Sequence, residues 1–435
     1  MPPNRTAKIY LWGKLVGAVA WMEDRGHAAY EFDPAFLKKG WDISPLHLGI
    51  ESAAGQIFTF PALNKVTYMG LPGFLADVLP DKFGNAIIDA WLARQGSGVQ
   101  SFGPVERLCY TGKRGMGALE FAPPINHNLN KAVPVEIEAL VSLAQDVMHT
   151  REKLDITLGD NEAANAEAML DILRVGTSAG GARPKAIIAM NDKGRVISGQ
   201  TDVPQGYEHW LLKFDGVTDL ELGEPKEFGR IEFAYHLMAQ AAGIEMTECR
   251  LLEETGRAHF MTKRFDRDGR KKIHMQTLCG IAHYDFNMAG AYGYEQAFQV
   301  MRRLRLPKSD AIQLFRRMVF NVLARNQDDH TKNISFLMDQ TGTWRLSPAY
   351  DVTYAHNPAG KWTNTHQMSI NGKLDGFTIE DMAIIGESIR LSNPKAIVSE
   401  IAGTVDRWPE FAKQAGLRTD LAIMIGQNHR KLSPR

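Results

Sequence analysis

Short runs in which apolar and polar residues alternate mark the beginning of the chain. They lie between residues 8 and 60, and turn-forming residues such as Gly13 separate them. A period of two is typical of half-buried strands, so the pattern predicts a small antiparallel sheet. The spacing then changes. Between Phe83 and Leu92 the apolar residues recur three and four positions apart, which predicts a helix that ends near Gly96.

A link rich in Pro and Asn at 122–135 separates this region from the rest of the chain. The pattern beyond it predicts helices at 135–148, 166–176 and 231–243 and strands at 185–190, 207–215 and 258–269. After residue 275 it becomes largely helical, most clearly at 309–326, where Ser309 is the predicted N-cap. A sheet-bearing first half followed by a helical second half predicts two lobes.

The composition is that of an ordinary globular protein, with 44% hydrophobic and 23% charged residues among 435. This length predicts two or three packed units. Fifty basic and fifty acidic residues cancel, which argues against a protein whose whole surface binds nucleic acid. The arginines at 302–305 and 316–317 are better interpreted as solvated helix faces than as a local basic patch.

The chain has three cysteines and no C-x-x-C pair, which predicts a reduced interior. Lys14 interrupts the apolar run near the N-terminus, so this run predicts a pair of strands rather than a signal peptide. No run approaches the ~18 apolar residues of a membrane helix. We therefore expect a soluble, cytoplasmic protein with no membrane partner.

One candidate catalytic segment is DDHTKN at 328–333. Phosphoryl transfer to a hydroxyl needs a carboxylate near the hydroxyl proton, ligands for Mg²⁺ and cations that offset phosphate charge. In protein kinases the catalytic Asp precedes a metal-binding Asn by five positions, which is the spacing of Asp328 and Asn333. Asp351 follows a hairpin predicted at 334–346, where a second metal ligand is expected. This spacing also arises by chance, and a turn that ends a helix is the alternative.

A glycine-rich segment, GTSAGGARPK at 176–185, is a candidate phosphate-binding loop. Small residues let backbone N–H groups approach phosphate oxygens, and Lys185 can add positive charge. The segment is neither a Walker loop nor the G-x-G-x-x-G loop of ordinary protein kinases. A flexible turn before the strand at 185–190 is the alternative.

Lys213 lies in the strand predicted at 207–215, from which a lysine can contact phosphates. Its side chain could equally extend to solvent at the end of the strand. Glu232, near the start of the next helix, could pair with Lys213. It could also simply complement the helix dipole.

Taken together, these segments resemble the HipA family of toxin kinases over nearly the whole chain. Five motifs follow one another in family order, namely TSAGGARPKAII, HWLLKF, MTKRFDRDG, NQDDHTKNISFL and LSPAYDV. Two more segments, LPGFLADVLPDKFGNAIIDAWL and GALEF, resemble the N-terminal subdomain of the family. Five matches in order are far more specific than any one of them.

The resemblance implies roles for the residues around the transferred phosphate. Asp328 resembles the catalytic base, and Asn333 and Asp351 resemble the Mg²⁺ ligands. Lys213 resembles the lysine that contacts the ATP phosphates. His330 resembles a residue that holds this loop beside the nucleotide.

The resemblance also implies how the rest of the nucleotide is bound. Lys263 and Phe265 resemble hinge residues that hold adenine, Lys263 through its main chain. The residues of the implied phosphate loop are Ser178, Ala179, Gly180, Gly181, Ala182 and Lys185. Ser178 resembles a serine that the kinase phosphorylates in itself, which switches the enzyme off because the new phosphate repels those of ATP. Arg183 falls where the family varies, so no role is implied for it.

The implied fold is α+β, kinase-like and two-lobed. Residues 1–130 would form a β-rich N-terminal subdomain with some helices, residues 131–270 the ATP-binding core of the N-terminal lobe, and residues 271–435 an all-helical C-terminal lobe. The implied cofactors are ATP and Mg²⁺. The implied partners are a protein substrate, commonly an aminoacyl-tRNA synthetase, and a small HipB-like helix-turn-helix antitoxin, through which alone the chain would reach DNA.

Two other functions stay open at this point. The chain could be a scaffold or co-repressor that holds a DNA-binding partner, or it could be a phosphotransferase that acts on a small molecule. The presence of Asp328, Asn333 and Asp351 argues against an inactive kinase.

Overall fold

The computed structural model of the chain describes residues 5–94, 102–125, 133–150, 183–199, 203–217 and 227–431. The helix predicted at 166–176 lies outside these residues. In the described part of the chain, no helix is both long enough and apolar enough to cross a membrane.

The first sheet is antiparallel and has the strand order β4–β3–β2–β1–β5. Its strands are β1 Thr6–Leu11, β2 Lys14–Met22, β3 His27–Phe32, β4 Ile57–Thr59 and β5 Leu119–Ala122. In β1 the side chains of Ala7, Ile9 and Leu11 are buried, whereas Lys8 between them is exposed. The alternation therefore produces the sheet that it predicts.

Five helices accompany this sheet, namely α1 Pro34–Leu37, α2 Lys65–Tyr68, α3 Gly73–Ala76, α4 Lys82–Arg94 and α5 Pro104–Thr111. Helix α4 is the one predicted from the spacing between Phe83 and Leu92, and both of these side chains are buried. They pack with Trp210 and Leu212 of the second sheet, so α4 lies against that sheet.

The second sheet is also antiparallel, with the order β7–β6–β8–β10–β9. Its elements and the helices around it are α6 Ile137–Thr150, β6 Lys185–Asn191, β7 Val196–Ser198, β8 Tyr207–Lys213, α7 Phe228–Ala241, β9 Cys249–Glu254 and β10 Arg257–Lys263. Lys185 stands directly opposite Lys213 in the register of β6 and β8. Paired residues share a face of a sheet, so both lysines lie on one face.

The remaining described chain is mainly helical. Its helices are α8 Leu278–Ala282, α9 Tyr294–Arg303, α10 Lys308–Leu323, α11 Ile379–Ser388, α12 Pro394–Asp406, α13 Trp408–Gln414 and α14 Thr419–Asn428. Its strands are β11 Arg267–Asp268, β12 Lys271–Lys272, β13 His274–Thr277, β14 Ser335–Met338 and β15 Trp344–Leu346.

The prediction that residues 271–435 are entirely helical is wrong, because β13, β14 and β15 form a three-stranded sheet there. Strands β14 and β15 correspond to the hairpin predicted at 334–346. Strand β13 has no apolar alternation, since two of its buried side chains are the polar His274 and Gln276. A hydrogen bond of 2.9 Å joins these two side chains, so polar residues occupy buried positions here by bonding to each other.

Ser309 is not the N-cap predicted for α10. The helix begins at Lys308, and Pro307 is its N-cap. The carbonyl of Pro307 accepts the first helical bond, from the N–H of Asp310 at 3.0 Å. The fixed φ of proline therefore starts the helix earlier than Ser309.

One continuous apolar core joins the first sheet to the C-terminal helices. Ile9 and Phe74 belong to the same buried cluster as Tyr235, Phe315 and Trp408. The core therefore does not divide between the two ends of the chain.

Candidate active site

The loop that carries Asp328 follows α10 and ends in a turn of 3₁₀-helix at Thr331–Asn333. The side-chain amide of Asn333 donates a hydrogen bond of 2.7 Å to the main-chain carbonyl of Asp328. The carboxylate of Asp328 is 48% exposed. The hydrogen bond from Asn333 thus closes the loop, and the carboxylate of Asp328 stays accessible to a substrate.

The neighbouring Asp329 is buried and holds the loop from within. It accepts hydrogen bonds from the Tyr294 hydroxyl at 3.0 Å, the Gln367 N–H at 2.8 Å and the His366 ring at 2.9 Å. Burial alone would raise the pKa of Asp329, but His366 and the other donors outweigh this effect and lower it.

Asp351 follows the β14–β15 hairpin, as predicted, and has a left-handed backbone with φ +53°. Its carboxylate accepts a hydrogen bond from Lys213. Burial acts to raise the pKa of Asp351, but the charge of Lys213 prevails and brings the pKa to about 2. Asp351 is therefore ionised at any physiological pH.

Lys213 is held between two carboxylates. Its ammonium lies 2.5 Å from Glu232 of α7 and also contacts Asp351. Glu232 is only 3% exposed, and burial raises its pKa despite the nearby lysine. For both residues the structure shows the Lys213–Glu232 ion pair, which was one of the two alternatives from the sequence. Lys213 does not extend to solvent, and Glu232 binds Lys213 in the second turn of its helix.

Lys185 forms a second buried ion pair, with Asp81. The two groups are 3.3 Å apart and each side chain is 4% exposed. Asp81 also accepts the N–H of Gly84 at 2.6 Å, so it caps the start of α4. The last residue of the glycine-rich segment is thus bound to Asp81 in the N-terminal part of the chain.

The two hinge candidates lie at the end of β10 and just after it. The N–H of Lys263 donates to Glu248 at 2.9 Å, and its carbonyl accepts the Thr247 hydroxyl at 2.9 Å. A main-chain contact from Lys263 to adenine would therefore use the second lone pair of that carbonyl. The half-buried ring of Phe265 lies 5.6 Å from that of Tyr350, the residue before Asp351.

His330 lies beside Asp328, with its Nε2 3.9 Å from the carboxylate. Its ring also packs edge-on against Phe286, at 5.5 Å between centroids. These contacts place His330 between Asp328 and Phe286. The candidates outside the described residues are Ser178, Ala179, Gly180, Gly181 and Ala182.

The residues available to Mg²⁺ fit that ion. Asn333 and Asp351 line one pocket together with His330. Within the described residues, no group of three or more His, Cys, Asp or Glu side chains could hold a metal by itself. Mg²⁺ needs no such cage, since it commonly takes one or two carboxylates, phosphate oxygens and water.

Two models of family domains match the chain. The HipA N-terminal domain matches residues 7–122, and the HipA-like C-terminal domain matches residues 177–422, which is more than half of the sequence. The chain belongs to the HipA family. The family predicted from the order of the motifs is thus confirmed.

A solved structure shows the HipA-like fold. The chain is similar to one in the complex of HipA, HipB and operator DNA from Shewanella oneidensis MR-1, with a TM-score of 0.65 and 15% identity. The match covers 97% of this chain and 95% of the other. The fold is thus a mixed α/β arrangement similar to that of HipA, which is kinase-like.

Two curated relatives come from Sinorhizobium fredii (strain NBRC 101917 / NGR234). "Putative kinase Y4dM" is 26% identical over 270 residues, which are 57% of this chain and 62% of that protein. "Putative kinase Y4mE" is 28% identical over 190 residues, 41% of this chain and 39% of that protein. The matched region thus spans less than two thirds of either relative.

Two residues of this HipA-family site were not singled out from the sequence, namely Asp81 and Asp329, and Arg183 was named without a role. Asp81 stands in a quoted motif, but nothing in the sequence indicates that it meets Lys185. Asp329 sits directly after Asp328, and only burial distinguishes their roles. The guanidinium of Arg183 lies 3.9 Å from the centre of the Phe228 ring, at the start of α7.

Proposed function

We propose that this HipA-family chain is an ATP- and Mg²⁺-dependent serine/threonine protein kinase. The observation that carries the proposal is the double ion pair of Lys213 with Glu232 and Asp351. In protein kinases a strand lysine paired with a helix glutamate contacts the ATP phosphates. Here the same lysine also meets the candidate metal ligand, which shares a pocket with Asn333.

Each group in the site then has a chemical task. Asp328, which is exposed, accepts the proton of the attacking hydroxyl. When ATP binds, the ammonium of Lys213 leaves Asp351 and binds a phosphate oxygen. Glu232 keeps this ammonium in place. Asn333 and Asp351 are the groups that would hold Mg²⁺, whose charge offsets that of the phosphates.

The remaining contacts would position the nucleotide. Lys185 adds a second cation on the same face of the sheet as Lys213. Phe265 offers an aromatic surface for adenine, and Lys263 offers a main-chain carbonyl. His330 would hold the loop in place beside Asp328.

Regulation and partners extend the proposal. Ser178 would be phosphorylated by the kinase itself, and the added charge would switch the enzyme off. The protein substrate would be an aminoacyl-tRNA synthetase, so that transfer inhibits translation. The solved Shewanella complex contains HipB and operator DNA, which supports a similar antitoxin as partner.

The test is incubation of the purified protein with labelled ATP and Mg²⁺, followed by mass spectrometry. We expect label on Ser178 in the wild type and none in Asp328→Ala or Ser178→Ala. Asp24→Asn is the control, because Asp24 is an exposed side chain far along the sequence from the loop, and it should incorporate label normally.

Other outcomes distinguish the alternatives. If unphosphorylated wild type transfers no phosphate to itself or to proteins of a cell extract, the kinase proposal is wrong and a scaffold or co-repressor is favoured. Transfer to small molecules alone would favour the small-molecule phosphotransferase. To find the target, phosphopeptides from cells that express the wild type are compared with those from cells that express Asp328→Ala.

A further inference from the structure

Arg183 lies at the candidate active site but has no task in the mechanism above. It directly precedes Pro184 and β6, and its guanidinium stacks on Phe228 at 3.9 Å. Phe228 is the first residue of α7, the helix that carries Glu232. Residues four apart lie on one face of a helix, so Arg183 stacks on the same face that binds Lys213.

The strand register brings Arg183 to the same end of the second sheet as Lys213. The N–H of Phe214 donates to the carbonyl of Pro184 at 3.2 Å, next to the Lys185–Lys213 pair. The antiparallel pairing thus extends toward Arg183. Arg183 directly precedes β6 and Lys213 ends β8. The two cations therefore approach Glu232 and Asp351 from neighbouring strands.

The charges around Arg183 are those of the proposed reaction. Burial lowers the pKa of its guanidinium, and four carboxylates act in the opposite direction. In order of their effect they are Glu232, Asp351, Asp328 and Asp215. The catalytic carboxylate and a metal-ligand carboxylate are both close enough to act on this cation.

The way in which Arg183 is held keeps its N–H groups available. Among the residues that the structure describes, no carboxylate lies within ion-pair distance of its guanidinium, in contrast to Lys213. The ring of Phe228, 3.9 Å from the centre of the guanidinium, offers no oxygen or nitrogen acceptor to its five N–H donors. A planar fork of donors matches phosphate oxygens in pairs, which a lysine does not.

We propose that Arg183 is a catalytic residue that binds the oxygens of the γ-phosphoryl group during transfer. The inference rests on the proposed kinase function. In the step, the hydroxyl oxygen forms a bond to the γ-phosphorus, and the bond from that phosphorus to the bridging oxygen breaks. The hydroxyl proton goes to Asp328, ADP leaves with the electron pair, and Arg183 keeps its protons and offsets the charge on the transferred group.

The variants that test this are Arg183→Gln, Arg183→Lys and Phe228→Leu, with Arg250→Gln as the matched control. Arg250 also stacks on an aromatic ring, that of Trp210 at 4.9 Å, but its side chain is 49% exposed and pairs with Glu248. Arg183→Lys keeps the charge and so keeps the protein folded if the glutamine variant fails.

The first readout is kcat with Mg²⁺ and ATP. We expect Arg183→Gln to lose roughly 100- to 1000-fold, Arg183→Lys and Phe228→Leu to lose less, and Arg250→Gln to match the wild type. The second readout is affinity for ADP with and without aluminium fluoride, which mimics the phosphoryl group in transit. Arg183→Gln should bind ADP normally and lose the gain in affinity that the fluoride gives the wild type.

The failures of the two proposals are distinguishable. An inactive wild type overturns the kinase function and this inference together. Wild-type kcat in Arg183→Gln, beside an inactive Asp328→Ala, overturns the inference alone. Equal losses of affinity for ADP and for ADP with fluoride would also overturn it, because they would show a role in nucleotide binding or in structure only.

Discussion

Two adjacent aspartates of the candidate catalytic loop should have different tasks, one in phosphoryl transfer and one in stability. Asp328 is half exposed, whereas Asp329 is 1% exposed and accepts three hydrogen bonds. We predict that Asp329→Asn lowers the free energy of unfolding by roughly 1–3 kcal/mol, since its amide nitrogen would face a donor. Asp328→Asn should change it by less than about 0.5 kcal/mol while abolishing transfer. Urea unfolding and labelled-ATP assays measure both, and equal stability losses would contradict the assignment.

The depressed pKa of Asp351 leads to a prediction for acid stability. An ordinary aspartate titrates near 3.8, whereas Asp351 in the folded protein titrates at about 2. Its stabilising effect is complete above the ordinary value and is lost as pH falls through the folded value. This effect is on the order of 2 kcal/mol.

The measurement compares the wild type with Asp351→Asn, for which the free energy of unfolding is followed between about pH 5 and about pH 2. The gap between the two proteins should narrow as pH falls, because only the wild type loses this contribution. A gap that stays constant over that range would show that Lys213 does not lower the pKa of Asp351.

At the scale of elements, helix α4 should contribute to phosphate binding, because Asp81 at its start holds Lys185 in place. Asp81 caps α4 and pairs with Lys185 in a buried position, where burial raises the pKa of Asp81 and Lys185 opposes that change. Asparagine is as good an N-cap as aspartate, so Asp81→Asn removes the charge and keeps the cap. We predict a loss of about 3 kcal/mol in stability and a raised KM for ATP.

Asp89→Asn is the control for this prediction. Asp89 lies on the same helix and pairs with Arg107 at 2.8 Å, but its carboxylate is 37% exposed. Arg107 also donates to the side-chain oxygen of Asn85 at 2.6 Å, so Asp89→Asn should cost less stability than Asp81→Asn. Thermal unfolding and ATP titration of the two variants give the comparison. An unchanged KM in Asp81→Asn would show that the pair serves stability alone.

What the sequence predicts at this scale follows from how local each signal is. Helix α4 and the β14–β15 hairpin depend on spacing within a few residues, and both are predictable together with the position of Asp351. Strand β13 is not, because its buried positions are His274 and Gln276, and polar residues in pairs have no periodic signature. The Asp81–Lys185 pair joins distant parts of the chain, which no local pattern reports.

At the scale of the whole molecule, the two matched family domains are joined by buried polar contacts as well as by apolar packing. Asp266, just after β10, is fully buried and bonds Arg264 at 2.6 Å, Arg267 at 2.8 Å and the N–H of Gly117 at 2.7 Å. Arg267 also donates to the carbonyl of Gly115 at 3.1 Å. Burial acts to raise the pKa of Asp266, but the two arginines outweigh it and lower the pKa strongly.

Asp266 follows β10 of the second sheet by three residues and bonds Gly117, so the N-terminal domain helps to support the candidate active site. We predict that the protein unfolds in one cooperative transition, since the main core cluster includes Ile9 as well as Trp408. Tryptophan fluorescence and far-UV circular dichroism should report the same midpoint in urea. Asp266→Asn should lower that midpoint, with a loss of about 3–5 kcal/mol, because two buried arginines lose their carboxylate. Two separate transitions in the wild type would show instead that the domains fold independently, and the contacts of Asp266 would then be too weak to unite them.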